Sequence, residues 1–169
     1  PYKEISNAIE IAKKFEDKLY ERQLRDIISY QKEKVASIQG IKYPVRLFTD
    51  FEYDNLIVDL KSTLRLPTKP KVDHLRQQAL YSVLHDKPIA LLYASPKKTF
   101  WYDLTKEDVK EGYTELLRDF KSLENYIDMC NNSIEDAIKI TPLNTDPSPF
   151  YWDNNIKKAA IKVWQTVNK

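Results

Sequence analysis

The chain has 169 residues, 42% of them hydrophobic and 31% charged, with a net charge of only +2 at pH 7. That is enough for one sizeable core, and the small net charge does not by itself announce a nucleic-acid binder. Its single cysteine, Cys130, excludes an internal disulfide and any cysteine-built zinc or iron-sulfur site. Two distant glycines, Gly40 and Gly112, exclude a glycine-rich phosphate loop and a dinucleotide fingerprint, both of which need closely spaced glycines.

Residues 3–32 carry Ile5, Ala8, Ile9, Ala12, Phe15, Leu19, Leu24, Ile27 and Ile28 largely at three- and four-residue intervals. This periodicity predicts one long amphipathic helix, with a break allowed between Glu21 and Leu24. A strand over 34–39 and a turn at Gly40 to Pro44 come next, followed by two alternating runs, 45–53 and 56–63. These flank Asp54-Asn55 and predict a tight β-hairpin. After a proline-containing loop, Asp73 opens a helix to about His85, with Leu75, Ala79, Leu80, Val83 and Leu84 toward the core. The apolar run 89–94 suits a buried strand, and 99–103 returns antiparallel across Ser95-Pro96-Lys97-Lys98. Thr105 followed by Asp108 signals the start of a second long helix, to about Asn131. The rest reads as a short helix, a proline-containing loop over 142–149 and a closing helix from about Asp153. The order predicts a mixed α/β (α+β) protein with a central β-sheet flanked by helices, all in a single domain over 1–169.

The hairpin carries the chemistry. A two-residue turn sets Tyr53 against Leu56, Glu52 against Ile57, Phe51 against Val58 and Asp50 against Asp59. Two carboxylates so opposed lie about 5 Å apart at Cβ and repel, which calls for positive charge between them. Lys61, two residues beyond Asp59, emerges on the same face. That face can be read as the solvated side of a half-buried hairpin, but Ile57-Val58 leading into Asp59 is apolar on both faces, as in a central strand. His74, Gln77, Tyr81 and His85 then form one stripe on the next helix, opposite its apolar face, with Gln77 and Tyr81 as neighbours. The two histidines are eleven residues apart without companion ligands, which speaks against zinc.

Asp50, Asp59-Leu60-Lys61 and His74-Leu75-Arg76-Gln77-Gln78-Ala79-Leu80-Tyr81 together resemble the PD-(D/E)-x-K nuclease superfamily, in its RecB-like exonuclease branch of phage type. The resemblance covers roughly residues 8–104 and implies a restriction-endonuclease-like core, followed by a helical part over 105–169. It implies a Mg²⁺- or Mn²⁺-dependent deoxyribonuclease with Asp50, Asp59 and Lys61 as catalytic residues. The metal ligands would be Asp50, Asp59, the Leu60 carbonyl and a first-helix glutamate, Glu16 by its distance from the hairpin, with Glu10 and Glu21 as competitors. Gln77, Tyr81, Thr63 and His74 would serve the substrate. The chain departs from the branch at Ala12, where a histidine is frequent, and at Leu47, where a glycine is. Without cysteine clusters it would belong among the members lacking an iron-sulfur cluster.

Lys97, Lys98, Phe100, Trp101 and Tyr102 mix cations with aromatics, as do Lys42, Tyr43 and Arg46, and such mixtures suit single strands. Tyr151-Trp152 would line the same groove or pin the last helix. Expected partners are single-stranded DNA or duplex ends and a recombination or replication protein. No membrane is expected, and the compartment would be the cytoplasm of a bacterial or phage-infected cell, or a mitochondrion. Alternatives of different class are an endonuclease of the same fold and a non-catalytic nucleic-acid-binding module.

Overall fold

A computed structural model of the chain describes residues 2–141 and 154–167. It contains α1 (Tyr2–Glu21), β1 (Ser29–Ala36), β2 (Val45–Glu52), β3 (Ile57–Ser62), α2 (Val72–His85), β4 (Ile89–Ala94), β5 (Thr99–Asp103), α3 (Lys106–Met129), α4 (Ile134–Ile140) and α5 (Asn154–Val167). The five strands form one mixed sheet in chain order, with β3 and β4 parallel and the other neighbours antiparallel. This is the mixed α/β core expected from the order of elements.

The chain divides into two compact units, Pro1–Phe120 and Lys121–Lys169. In the first, β4 is apolar throughout and every residue of it is buried, as a strand covered on both faces must be. One face buries Val58 and Leu92 with Leu19 and Tyr53, packed by Phe15 of α1, Phe51 and Trp101. The other buries Ile57, Leu47 and Ile89 beneath Leu80 and Tyr81 of α2, with Tyr113, Leu116, Leu117 and Phe120 of α3 added outside. The hairpin face bearing Asp59 is therefore covered by a helix and not solvated. α2 is itself sandwiched, which buries Tyr81, expected opposite the apolar face, and leaves Val83, expected in the core, 42% exposed. Helix α3 reaches α2 closely at Gly112, where an added Cβ would meet Ala79 Cβ at 3.0 Å and the Arg76 Cα at 3.3 Å.

The first helix, expected over 3–32 with a break allowed between Glu21 and Leu24, ends at that break. It stops there because Gln23 takes a left-handed φ of 58°, and Ser29 to Lys32, assigned to the helix by periodicity, instead begin β1. Tertiary pairing with β2 overrides the local pattern. The reciprocal bonds between Thr105 Oγ1 and Asp108 N–H, and between Asp108 Oδ2 and Thr105 N–H, form the expected cap of α3.

In the second unit Ser133 caps α4 by accepting from the Asp136 N–H, and the Trp164 indole of α5 donates to the Thr141 carbonyl at 2.9 Å. Cys130 is a buried free thiol there. The proline loop and Tyr151-Trp152 lie outside the described residues. No helix among the described residues is long and apolar enough to cross a membrane.

Candidate metal and phosphodiester site

The hairpin has the register set by its two-residue turn: Glu52 pairs with Ile57 and Phe51 with Val58, and the Tyr53 N–H donates to the Leu56 carbonyl at 2.8 Å. Beyond Phe51 the ladder opens. Asp50 does not pair through its backbone. Its carboxylate Oδ2 accepts the Leu60 N–H at 3.0 Å, taking the place of a main-chain acceptor. Opposite Asp50 on β1, the otherwise continuous register skips Gln31, which adopts φ 47°. The distortion has a visible effect on β2: Leu47 packs under α2 whereas Phe51 packs against Phe15 of α1, although the two are four residues apart and would share a face in a regular strand.

Asp59 is 3% exposed, and its Oδ2 lies 2.8 Å from Lys61 Nζ without the alignment of a hydrogen bond. Burial pushes its carboxyl up to about 6; the Lys61 charge opposes the rise, Asp50 adds to it and the Gln78 amide opposes it. Lys61 also donates to Gln77 Oε1 at 3.0 Å, and Gln77 Nε2 donates to the Tyr81 hydroxyl at 3.0 Å. An ordered chain thus runs from Asp59 through Lys61 and Gln77 to Tyr81, from β3 onto α2. The four-residue spacing on the helix aligns its last two members.

The parallel register sets Tyr93 of β4 beside Lys61. Its hydroxyl accepts the Lys71 N–H at 3.2 Å and meets His74 Nδ1 at 2.8 Å, while its ring stacks on His74 and on Phe100. Burial, with Lys61 and Lys71 nearby, holds the His74 pKa below its ordinary value. Neutral His74 shares a hydrogen bond with the Tyr93 hydroxyl and packs the start of α2 against the sheet.

Several sequence-assigned residues are spread out. Glu16 is exposed on α1, whose inward residues are Phe15 and Leu19. Among the described residues no three of His, Cys, Asp and Glu gather as a metal group. Of the competitors, Glu10 pairs with Lys13 and Glu21 with Lys18 on the same helix. The Thr63 hydroxyl donates to the Arg65 carbonyl and accepts the Arg65 N–H, closing a local turn. Lys97 and Lys98 are exposed in the β4–β5 turn. Trp101 does not join Phe100: strand alternation sends it to the α1 face, where the Arg22 guanidinium lies 4.6 Å from its ring. Phe100 and Tyr102 form a row with Tyr93 on the α2 face. Arg46 pairs with Glu33, and Lys42 Nζ lies 5.2 Å from the Tyr43 ring.

Gln78 was missed by the sequence reading. It is 0% exposed, its amide lies beside the Asp59 carboxylate, and neither of its amide atoms makes an aligned hydrogen bond. Such a group costs roughly 1–3 kcal/mol. Its one signal in the sequence is the Gln-Gln pair: residues 100° apart on a helix wedged between a sheet and another helix both face inward.

Mg²⁺ takes oxygen ligands, keeps several waters and is held by one or two carboxylates. Asp59, whose Oδ2 is buried without an aligned hydrogen bond, and Asp50, with one oxygen committed to Leu60, fit such an ion or Mn²⁺.

No protein-family model matches the chain, and no curated protein matches it. Among solved structures the chain is similar to the crystal structure of SSO0001, with a TM-score of 0.48 and 17% identity over 81% of this chain and 69% of that one.

Proposed function

We propose that the chain is a divalent-metal-dependent deoxyribonuclease of the PD-(D/E)-x-K type, in the RecB-like branch, acting on DNA ends. The observation that carries this reading is the ordered chain Asp59–Lys61–Gln77–Tyr81 with Asp50 fastened to the Leu60 N–H. A carboxylate 3% exposed, at the head of that chain and facing a second acid, is expensive in an inert strand.

A phosphodiester resists attack because its charge repels nucleophiles and its alkoxide leaves poorly. Mg²⁺ or Mn²⁺ bound by Asp50, Asp59 and the Leu60 carbonyl would supply Lewis acidity and an activated water. The protein's own part is positional. Asp50 is held in place by the Leu60 N–H, so its free oxygen points from a fixed anchor. Lys61 is held between Asp59 and the Gln77 oxygen. From there its amine can orient the attacking water and offset charge on the scissile phosphate. Gln77, supported by Tyr81, gives the amine a second partner besides Asp59 and so fixes its direction. The exposed Lys97 and Lys98 would follow the phosphates of a strand leaving the site. A replication or recombination protein is the partner class that this activity would serve.

One observation favours a non-catalytic nucleic-acid-binding module instead: only two acids meet at the site among the described residues. The two readings separate in one assay. End-labelled single-stranded DNA incubated with Mg²⁺ or Mn²⁺ is expected to be degraded by the wild type. Asp59→Ala and Lys61→Ala, checked for folding by circular dichroism, are expected to lose at least about 100-fold in rate. Wild-type rates in either folded variant would remove the catalytic assignment, and binding without metal-dependent hydrolysis would favour the module.

A further inference from the structure

Helix α2 presents two consecutive glutamines inward, and they are served differently. Gln77 is bonded at both ends, by Lys61 and by Tyr81. Gln78 is more deeply buried; its amide lies beside the Asp59 carboxylate, yet neither of its polar atoms makes an aligned hydrogen bond. Beside it the Asp59 Oδ2 is likewise buried without an aligned partner. A side chain of equal length without polar atoms, such as methionine, would fill the position without that cost. A half-turn of the terminal amide exchanges its nitrogen for its oxygen, so Gln78 can offer either to what lies beside Asp59.

Hard divalent cations are bound by carboxylates and by neutral amide oxygens alike. Asp50 and Asp59 supply two anionic donors, and Glu16 stays exposed on α1. We propose that Gln78 is the third side-chain oxygen donor of the cation site held by Asp50 and Asp59, standing where a third acid would otherwise be needed. The proposal rests on the nuclease reading through the cation alone. A neutral donor has a physical advantage here: a third carboxylate beside two that already repel would load the metal-free core with more negative charge than Lys61 can balance.

The test is Mn²⁺ binding by isothermal titration at pH 7.5, together with melting of the metal-free protein, for the wild type, Gln78→Met and Gln78→Glu. In Gln78→Met the metal-free protein is expected to melt at or above the wild-type temperature, because two unpaired polar atoms are gone. Its Mn²⁺ affinity is expected to fall about tenfold or more, as a thioether does not serve a hard ion. Gln78→Glu is expected to show the opposite pair of changes, a lower metal-free melting temperature and tighter Mn²⁺ binding. A merely structural Gln78 would change melting and leave the affinity alone, so wild-type affinity in Gln78→Met overturns the assignment. Should Gln78→Met fail to fold, the glutamate variant decides, and affinity equal to or weaker than wild type overturns the assignment. Absence of Mn²⁺ binding in the wild type itself would overturn both this assignment and the nuclease reading, whereas wild-type binding that is indifferent to Gln78 would overturn only this one.

Discussion

Asp59 illustrates how burial and charge pull against each other at a single side chain. Its carboxyl titrates at about 6 in the fold against 3.8 in the open chain, burial being the main cause. Between those values the folded state holds more proton than the unfolded one. The contribution to stability is therefore full below about pH 4 and is lost as pH rises through 6. In metal-free protein this should amount to destabilisation on the order of 2 kcal/mol between pH 4 and pH 7. Other carboxylates run the opposite way: Glu52, bonded by Lys87 and, despite burial, by Ser29, is held low. The difference between wild type and Asp59→Asn isolates the term. We expect the variant to gain in relative melting temperature as pH increases from 4 to 7, and a flat difference curve would remove Asp59 from the buried, charged role assigned to it. Asp50→Asn should behave as a companion, since an asparagine oxygen can still accept the Leu60 N–H. It should raise the metal-free melting temperature by relieving repulsion, and shrink the further rise produced by Mn²⁺. A variant that is less stable without metal and fully responsive to Mn²⁺ would mean that the two acids do not share an ion.

At the scale of elements, the site depends on how tightly α2 is clamped between sheet and α3. Gly112 sets that distance. An alanine there gains helix propensity worth about 1 kcal/mol but crowds Ala79, so the two effects nearly cancel. A valine adds two further methyls to a Cβ that already lies 3.3 Å from the Arg76 Cα and the Leu75 carbonyl, which are backbone and cannot swing aside. Gly112→Val should therefore destabilise by roughly 1–3 kcal/mol in chemical denaturation. Because α2 carries Gln77, it should also slow any Mg²⁺-dependent hydrolysis by more than the loss of folded protein explains. Wild-type stability in this variant would show that α3 does not press on α2 as the close approach implies.

For the molecule as a whole, the proposed preference for ends concerns what surrounds the chemistry. The aromatic row Tyr93–Phe100–Tyr102 lies on the same sheet face as Lys61, but Tyr93 is buried and Phe100 and Tyr102 are half-buried. The row therefore offers little open surface on which bases could stack, and the proposed contacts to a strand fall to the exposed Lys97 and Lys98. If ends are required, linear single strands should disappear under Mg²⁺ while covalently closed circles persist. Rapid nicking of circles would favour an endonuclease of the same fold.

The sequence by itself determined the features that depend on neighbours along the chain. The hairpin register at Phe51–Val58 and Glu52–Ile57, Lys61 on the face of Asp59, the Gln77–Tyr81 contact and the Thr105–Asp108 cap all follow from turn length, the two-residue strand repeat and the four-residue helix repeat, whereas the expected backbone pairing of Asp50 with Asp59 gives way to the bond from the Leu60 N–H to the Asp50 carboxylate. Only the tertiary structure decided what covers each face. It turned Ser29 to Lys32 from helix into the start of β1 by offering β2 as a partner, and sent Trp101 to α1 while Phe100 met Tyr93. It left Glu16 on the outside, because Phe15 and Leu19 claim the inward side of α1. It also buried Gln78 beside Asp59, because α2 is pressed from two sides at once and that position of the helix has no solvent to turn to. The physical reason is range. Local periodicity states which residues share a face, while the layer against which that face packs is set by residues far away in the chain, and the chemistry of a buried carboxylate depends on that layer.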